Sequence, residues 1–250
     1  YAIDSVSDYE KLSGIDLTKG RAKVVLDAIG MLKEEVKDMP IIGNLTGPIS
    51  TASSVIEPVV FYKELRKKNA EAHAYMNFVT EQLIAFGRAQ VEAGADVIIC
   101  GAGLPADLPG IAQNYAREHG KKIPKLMPIV SSARAAGIIL KMWDHHYHTV
   151  PDCIIVEGPM AGGHLGFQES VLENIENIDF DAILCGVIDS KKPYEEKYTK
   201  KIPVAAAGGI FDRQDIDHVL SLGADAVQIA SRFVVTKECD ASDAYKRAYI

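Results

Sequence analysis

The sequence predicts an all-parallel α/β fold, closed as a barrel or open as a sheet. Six short apolar runs recur along the chain, separated by amphipathic segments of helical length. The tripeptide Gly-Ala-Asp occurs twice, in "VEAGADVIIC" and "LSLGADAVQIA", each time between a helical segment and an apolar run. A chain of 250 residues is also the usual size of one α/β barrel.

The elements follow in order. "RAKVVLDAIGMLKEEV" places Val24, Val25, Ala28, Ile29 and Leu32 on one stripe and predicts a helix. "PIIGNL" (40–45) is the first predicted strand. "NAEAHAYMNFVTEQLIAFGRAQVEA" is a long helix with Asn69 as its cap. Strands are then predicted at "ADVIIC" (95–100), "KLMPIV" (125–130), "DCIIVE" (152–157), "IPVAAA" (202–207) and "DAVQIA" (225–230). Each run is continuously apolar, as suits a strand covered on both faces. "ARAAGIILKMW" and the shorter "DRQDIDHVLSL" supply further helices, and "KKPYEEKYTKK" reads as a solvated helix end and loop. In both Gly-Ala-Asp repeats the glycine suits the left-handed residue that ends a helix. Strand, crossover helix, parallel strand is therefore the repeating unit. A (β/α)8 barrel needs eight strands, and the polar, helical first forty residues offer no clear pair to complete the six. The barrel is read as incomplete, with strand edges that invite homodimerisation.

Composition limits the function. Hydrophobic residues make up 48% and charged residues 24% of the chain, ordinary values for a soluble globular protein. A net charge of −7 argues against nucleic-acid or anionic-membrane surfaces, which need a basic stripe. Cys100, Cys153, Cys185 and Cys239 are widely spaced without a CxxC pair, so they read as reduced thiols of a cytoplasmic protein. No apolar run approaches the roughly 18 residues of a membrane span, and no signal peptide opens the chain. The chain opens on Tyr1 rather than Met, which reads as a fragment or a processed chain.

In barrels the strand C-termini and the loops after them carry function. Here "CGAGLPADLP", "VSSARAA", "EGPMAGGHLGF", "AAGGIFD" and "QIASRF" occupy those places. Gly208 and Gly209, together with the 228–231 segment, lie on the last two predicted strands, where barrels often hold a ligand phosphate. The same two glycines also serve a simple tight turn. His164 follows two glycines at a strand end; an ordinary imidazole pKa of about 6.5 suits a proton acceptor near neutral pH. The other reading is a loop histidine satisfied by backbone. His145, His146 and His148 sit between a helix and the next strand, on the opposite face, without the spacing of a helical zinc site. No metal site is expected. Cys100 reads as a buried core thiol.

The motifs "GADVIICGAGLPADLP", "PIVSSARAA", "PDCIIVEGPMAGGHLGF", "KKIPVAAAGGIFD" and "GADAVQIASRFVVTKECDASDAYK" together resemble nitronate monooxygenase, with much in common with flavin-dependent enoyl-ACP reductase. The resemblance runs from about residue 90 to the end. It implies a TIM barrel with non-covalent FMN at the strand C-termini. It implies that Gly162, Gly163, Gly208, Gly209, Gln228, Ile229, Ala230 and Ser231 surround the FMN phosphate and ribityl chain. His164 would be the catalytic histidine, and Asn44 stands where a flavin-contacting asparagine is expected. The implied activity is oxidation of a nitroalkane or nitronate with O2. The alternatives are a flavin-dependent enoyl-ACP reductase using NAD(P)H and an inactive barrel that keeps at most FMN or phosphate binding.

Earlier segments, "DSVSDYEKLSGID", "IIGNLTGPISTAS" and "TEQLIAFGRAQVEAGADVI", resemble the uroporphyrinogen decarboxylase and corrinoid methyltransferase family, also TIM barrels. That branch places zinc ligands in the later part of its barrel, where this chain has no His-x-Cys arrangement. The two resemblances read as a hybrid of two barrel families, engineered or fragmentary. The expected organisation is one barrel domain over 1–250, with 1–92 of the decarboxylase type and 93–250 of the monooxygenase type.

Overall fold

The computed structural model describes residues 1–101, 103–162, 166–167 and 169–249. Two compact units divide the chain, residues 1–128 and 129–250.

The first unit opens with a 3-10 helix, Val6–Lys11, and α1, Gly20–Glu35. β1 (Ile42–Thr46) leads into α2 (Pro48–Val55), α3 (Pro58–Lys67) and the long α4 (Asn69–Ala93). β2 (Val97–Gly101), α5 (Leu108–His119) and β3 (Lys125–Val130) follow. β1 pairs with β2, and residues 125–128 of β3 pair with β2, all parallel. Prolines at the starts of α2 and α3 cost nothing there, because the first turn has no partner for the missing N–H.

A helical core gathers Ile3, Val6, Ala52, Ile56, Phe61, Ala72, Tyr75 and Val79. Tyr75 is fully buried, and its hydroxyl donates to the Ala52 carbonyl at 2.8 Å. Burial pushes this phenol up to about 12. The N-terminal segment is tied down by Glu64, which accepts the Val6 N–H at 2.8 Å and the Ser5 hydroxyl at 2.9 Å.

The second unit contains the end of β3, then α6 (Ala133–Tyr147), β4 (Ile154–Glu157), α7 (Glu169–Leu172) and a 3-10 turn at Ile175–Asn177. α8 (Phe180–Tyr198), β5 (Val204–Ala207), α9 (Arg213–Ser221), β6 (Ala226–Gln228), α10 (Ser231–Val234) and α11 (Asp243–Arg247) complete it. Residues 129–130 pair with β4, β4 with β5 and β5 with β6, again all parallel. Its core is Trp143, Ile139 and Leu140 of α6 against Leu184 and Val187 of α8, with β4 and β5 buried almost throughout. The result is an α/β fold of the TIM-barrel type, incomplete at six parallel strands among the described residues and paired in chain order.

The Gly-Ala-Asp repeat does the same work twice. Gly94 and Gly223 take left-handed φ of 118° and 103° after α4 and α9. Asp96 then accepts the Ile41 N–H at 3.0 Å and Asp225 accepts the Val204 N–H at 3.0 Å. Each aspartate therefore fixes the start of the preceding strand. α9 adds a capping box, with Asp212 and Asp215 bonding each other's backbone N–H.

Four local expectations are corrected. Of the stripe on α1 only Ile29 is buried; Val24 is 67% exposed, because α4 covers a narrower face than the stripe offers. Asn69 is the first helical residue of α4 rather than its cap; Lys68 holds the cap position without a side-chain bond. Lys191 is 6% exposed, since helical spacing sets it on the face of Leu184 and Val187. The end strands β1 and β6 are not covered on both faces: Ile42, Asn44, Thr46, Ala226 and Gln228 are exposed. No helix among the described residues is long and apolar enough to cross a membrane.

Candidate functional site

In a parallel sheet every strand presents its C-terminal end on one side, so the loops that follow share that side. In the second unit the loop after β4 and the loop after β5 interlock. The Gly158 N–H donates to the Ala207 carbonyl at 2.8 Å, extending the ladder one residue past β4. The chain then turns back, and the Ala161 N–H donates to the Gly158 carbonyl at 3.2 Å. A Cβ on Gly158 would fall 2.8 Å from the Phe180 ring.

Gly208 and Gly209 follow β5 with φ of 83° and 85°, where side chains are strained. A Cβ on Gly208 would lie 3.0 Å from both the Ala161 nitrogen and the Gly158 oxygen, and one on Gly209 would lie 3.1 Å from Met160 Cβ. The two loops approach this closely only because three glycines stand where they meet. Gly162 differs: among the described residues a Cβ there meets nothing within 4 Å, and its φ is not left-handed.

Gln228 ends β6 opposite Ala207. Ile229 and Ala230 lead into α10, whose first residue, Ser231, is exposed. The Arg232 guanidinium lies 4.8 Å from the centre of the Phe211 ring, joining the segment after β6 to the segment after β5. Sequence reading passed over two further contacts. A Cβ on Gly166 would clash with Ser131 Oγ, so Gly166 sits against the residue that follows β3. Ser132 caps α6, its Oγ accepting the Ala135 N–H at 3.1 Å. The tandem serines in "VSSARAA" were the available signal, because one cap needs only one of them.

The structure thus brings Gly208 and Gly209 against the 158–161 turn and sets Gln228 beside Ala207. Gly163 and His164 lie outside the described residues. Asn44 belongs to the first unit, on β1, with an exposed side chain. Its backbone is held by Gln90, whose Oε1 accepts the Asn44 N–H at 3.0 Å and whose Nε2 donates to the Asn44 carbonyl at 3.2 Å.

The donors suit an oxyanion. Gly162 and Gly209 are exposed glycines, and Ser231 is an exposed serine. Such groups receive phosphate oxygens closely. Cys153, at the start of the β4 region, is buried, which pushes its thiol up to about 11 and leaves it neutral. It is no nucleophile at neutral pH. No cluster of histidine, cysteine and acidic side chains fit to hold a metal occurs among the described residues. His145 and His146 lie exposed in the last turn of α6, and His148 ends it with a φ of 50°.

Comparison with known proteins gives two kinds of likeness. The chain is 33% identical over 131 residues to the methylcobamide:CoM methyltransferase MtbA of Methanosarcina acetivorans, which is 51% of this chain and 38% of that protein. It is 34% identical over 98 residues to a probable nitronate monooxygenase of Staphylococcus saprophyticus, which is 39% of this chain and 25% of that protein. Among solved structures, FabK from Thermotoga maritima superposes with a TM-score of 0.55 at 23% identity, covering 97% of this chain and 58% of that one. At that identity the likeness is one of fold. The chain spans only about a quarter to two fifths of the length of these curated relatives. The family model described as nitronate monooxygenase matches residues 28–250, well upstream of the motifs that begin near residue 90. The match covers most of the sequence, and the chain belongs to the nitronate monooxygenase family.

Proposed function

We propose that this chain is a flavin-dependent oxidoreductase that uses FMN to oxidise a nitroalkane or its nitronate with O2. The observation that carries the reading is the interlock of the 158–161 turn with Gly208 and Gly209 at the ends of neighbouring parallel strands. It brings the main chain of the two loops together, with glycine at residues 158, 208 and 209, at the edge where TIM barrels bind ligands. Family membership supplies the cofactor class.

In this reading Gly162, Gly163, Gly208, Gly209 and the 228–231 segment hold the FMN phosphate and ribityl chain. The family resemblance also assigns Asn44 to the flavin. The flavin, when bound, supplies the electron acceptor, and O2 is the final oxidant. His164 accepts the α-proton of a neutral nitroalkane, or orients a nitronate that arrives already deprotonated. Four free cysteines fit a reducing, cytoplasmic setting.

The test is turnover by FMN-loaded protein. His164→Ala is expected to abolish turnover of neutral nitroalkanes while FMN stays bound. Unchanged turnover of the neutral substrate would remove His164 from the mechanism. Anaerobic flavin reduction by NADH, with no nitronate consumption, would move the assignment to the enoyl-ACP reductase activity.

A further inference from the structure

The first unit contains a cavity of about 240 Å³ between α4, α5 and the side chains of β1 and β2, bordered by the 104–107 loop. Leu45, Ile84, Ile98, Leu108 and Ala112 give it apolar walls. Cys100 also lines it; burial pushes this thiol up to about 11, so it stays neutral and adds apolar surface rather than a nucleophile.

Two lining residues carry charge, Arg88 of α4 and Asp107 at the start of α5. Asp107 has an interaction of its own within the chain. Arg88 is incompletely satisfied: its Nε is buried and finds no hydrogen-bond partner among the described residues. Its guanidinium carbon lies 5.6 Å from the centre of the Tyr115 ring, and the Tyr115 hydroxyl is committed to Glu92 at 3.0 Å. A buried N–H without an acceptor is costly, and native structures rarely leave one without a reason. Here it borders an apolar cavity with room for a ligand. A cavity of about 150 Å³ accepts benzene, so this one has space for a ring or short chain with an acidic group attached.

We propose that this cavity binds a small monocarboxylate with an apolar body, and that the carboxylate accepts the Arg88 Nε–H. The apolar walls take the body, while arginine supplies the charge-assisted hydrogen bond that fixes its orientation. The site lies within the first unit and does not rest on the flavin reading.

Calorimetric titration of the 250-residue chain with 3-phenylpropanoate and with octanoate, without added flavin, tests this. Saturable one-site binding of at least one acid is expected. Its neutral amide should bind the unaltered protein about tenfold more weakly or worse, as loss of a hydrogen bond to a charged group implies. Arg88→Met should show the same loss, and Ala112→Phe, which fills the cavity, should abolish binding with the circular dichroism spectrum retained. Absence of saturable binding by either acid would overturn the proposal. So would equal affinity for acid and amide, a result independent of how any variant folds. Binding that survives Ala112→Phe would place the ligand elsewhere and overturn it as well.

Discussion

Asp96 grips Ile41 at both of its backbone groups: the Asp96 N–H donates to the Ile41 carbonyl at 2.8 Å, and its carboxylate accepts the Ile41 N–H at 3.0 Å. Asp225 holds Val204 the same way in the second unit, at 2.8 and 3.0 Å. Each aspartate also binds a lysine, Lys33 in one case and Lys201 in the other. The repeated Gly-Ala-Asp is therefore a device for setting parallel strands in register, used once in each unit.

The clamp carries a pH dependence. The Lys33 ammonium, and next the Ile41 N–H, hold the Asp96 carboxyl below the usual carboxylate range. A carboxylate whose folded pKa is depressed stabilises the fold above its unfolded value of about 3.9 and loses that contribution as pH falls through the folded value. Asp96→Asn keeps an acceptor for Ile41 and removes the charge. Because the ion pair is well exposed, the cost at pH 7 is expected to be about 1 kcal/mol or less. Urea midpoints should differ at pH 7, and the difference should shrink as pH falls below about 4; a constant difference down to the acid limit of the fold would contradict the account.

Gln90 supports an end strand. Its buried amide bonds both backbone groups of Asn44, where β1 has β2 as its one strand neighbour among the described residues. Gln90→Leu leaves that N–H and C=O without partners and should cost about 1–3 kcal/mol. A Cβ on Gly43 would come 2.9 Å from Gln90 Oε1 and from Ile98 Cδ1, so Gly43→Ala should also destabilise. The two residues share this contact, so chemical denaturation of the double variant should show a cost smaller than the sum.

Gly208 and Gly162 separate structure from binding. Gly208→Ala places a Cβ against the Ala161 nitrogen and the Gly158 oxygen at φ 83°, and should cost at least about 1 kcal/mol. Gly162→Ala meets nothing among the described residues and should leave the thermal midpoint within about half a kcal/mol equivalent of the parent. Loss of flavin retention in Gly162→Ala, with the midpoint unchanged, would then report contact with the cofactor itself. Differential scanning calorimetry alongside flavin content measures both.

The buried Lys191 pairs with the half-buried Glu195 at 2.8 Å, and Glu195 also accepts the Ile202 N–H at 2.6 Å. Glu195→Ala strands a buried ammonium and a backbone N–H together, with an expected cost of about 3 kcal/mol. Lys191→Met leaves the Glu195 carboxylate partly exposed and still bonded to the Ile202 N–H, and should cost less. Guanidinium unfolding of both variants checks the order.

Much of the fold was legible because buried parallel strands need continuous apolar runs, and "KLMPIV" coincides with β3 from Lys125 to Val130. The ends of the sheet were less so. Ala226–Gln228 makes a strand of three residues whose exposure depends on what lies beside it, which its own sequence does not encode. Charge misled at Lys191, because a lysine among solvated neighbours looks solvated until helical spacing places it beside Leu184 and Val187. At the candidate site, paired glycines signalled the left-handed turn at residues 208 and 209. Their packing against Ala161 and Met160, and the unpartnered Nε of Arg88, arise only from tertiary contacts between segments far apart in sequence.

The most direct test of the central claim is an absorbance spectrum of the purified chain after incubation with FMN and desalting. The account predicts a retained visible flavin band at about one flavin per chain, the chromophore belonging to the cofactor. It also predicts loss of that band in Gly208→Ala. A colourless protein with its secondary structure intact would contradict the assignment of the 162–163, 208–209 and 228–231 segments to the FMN phosphate.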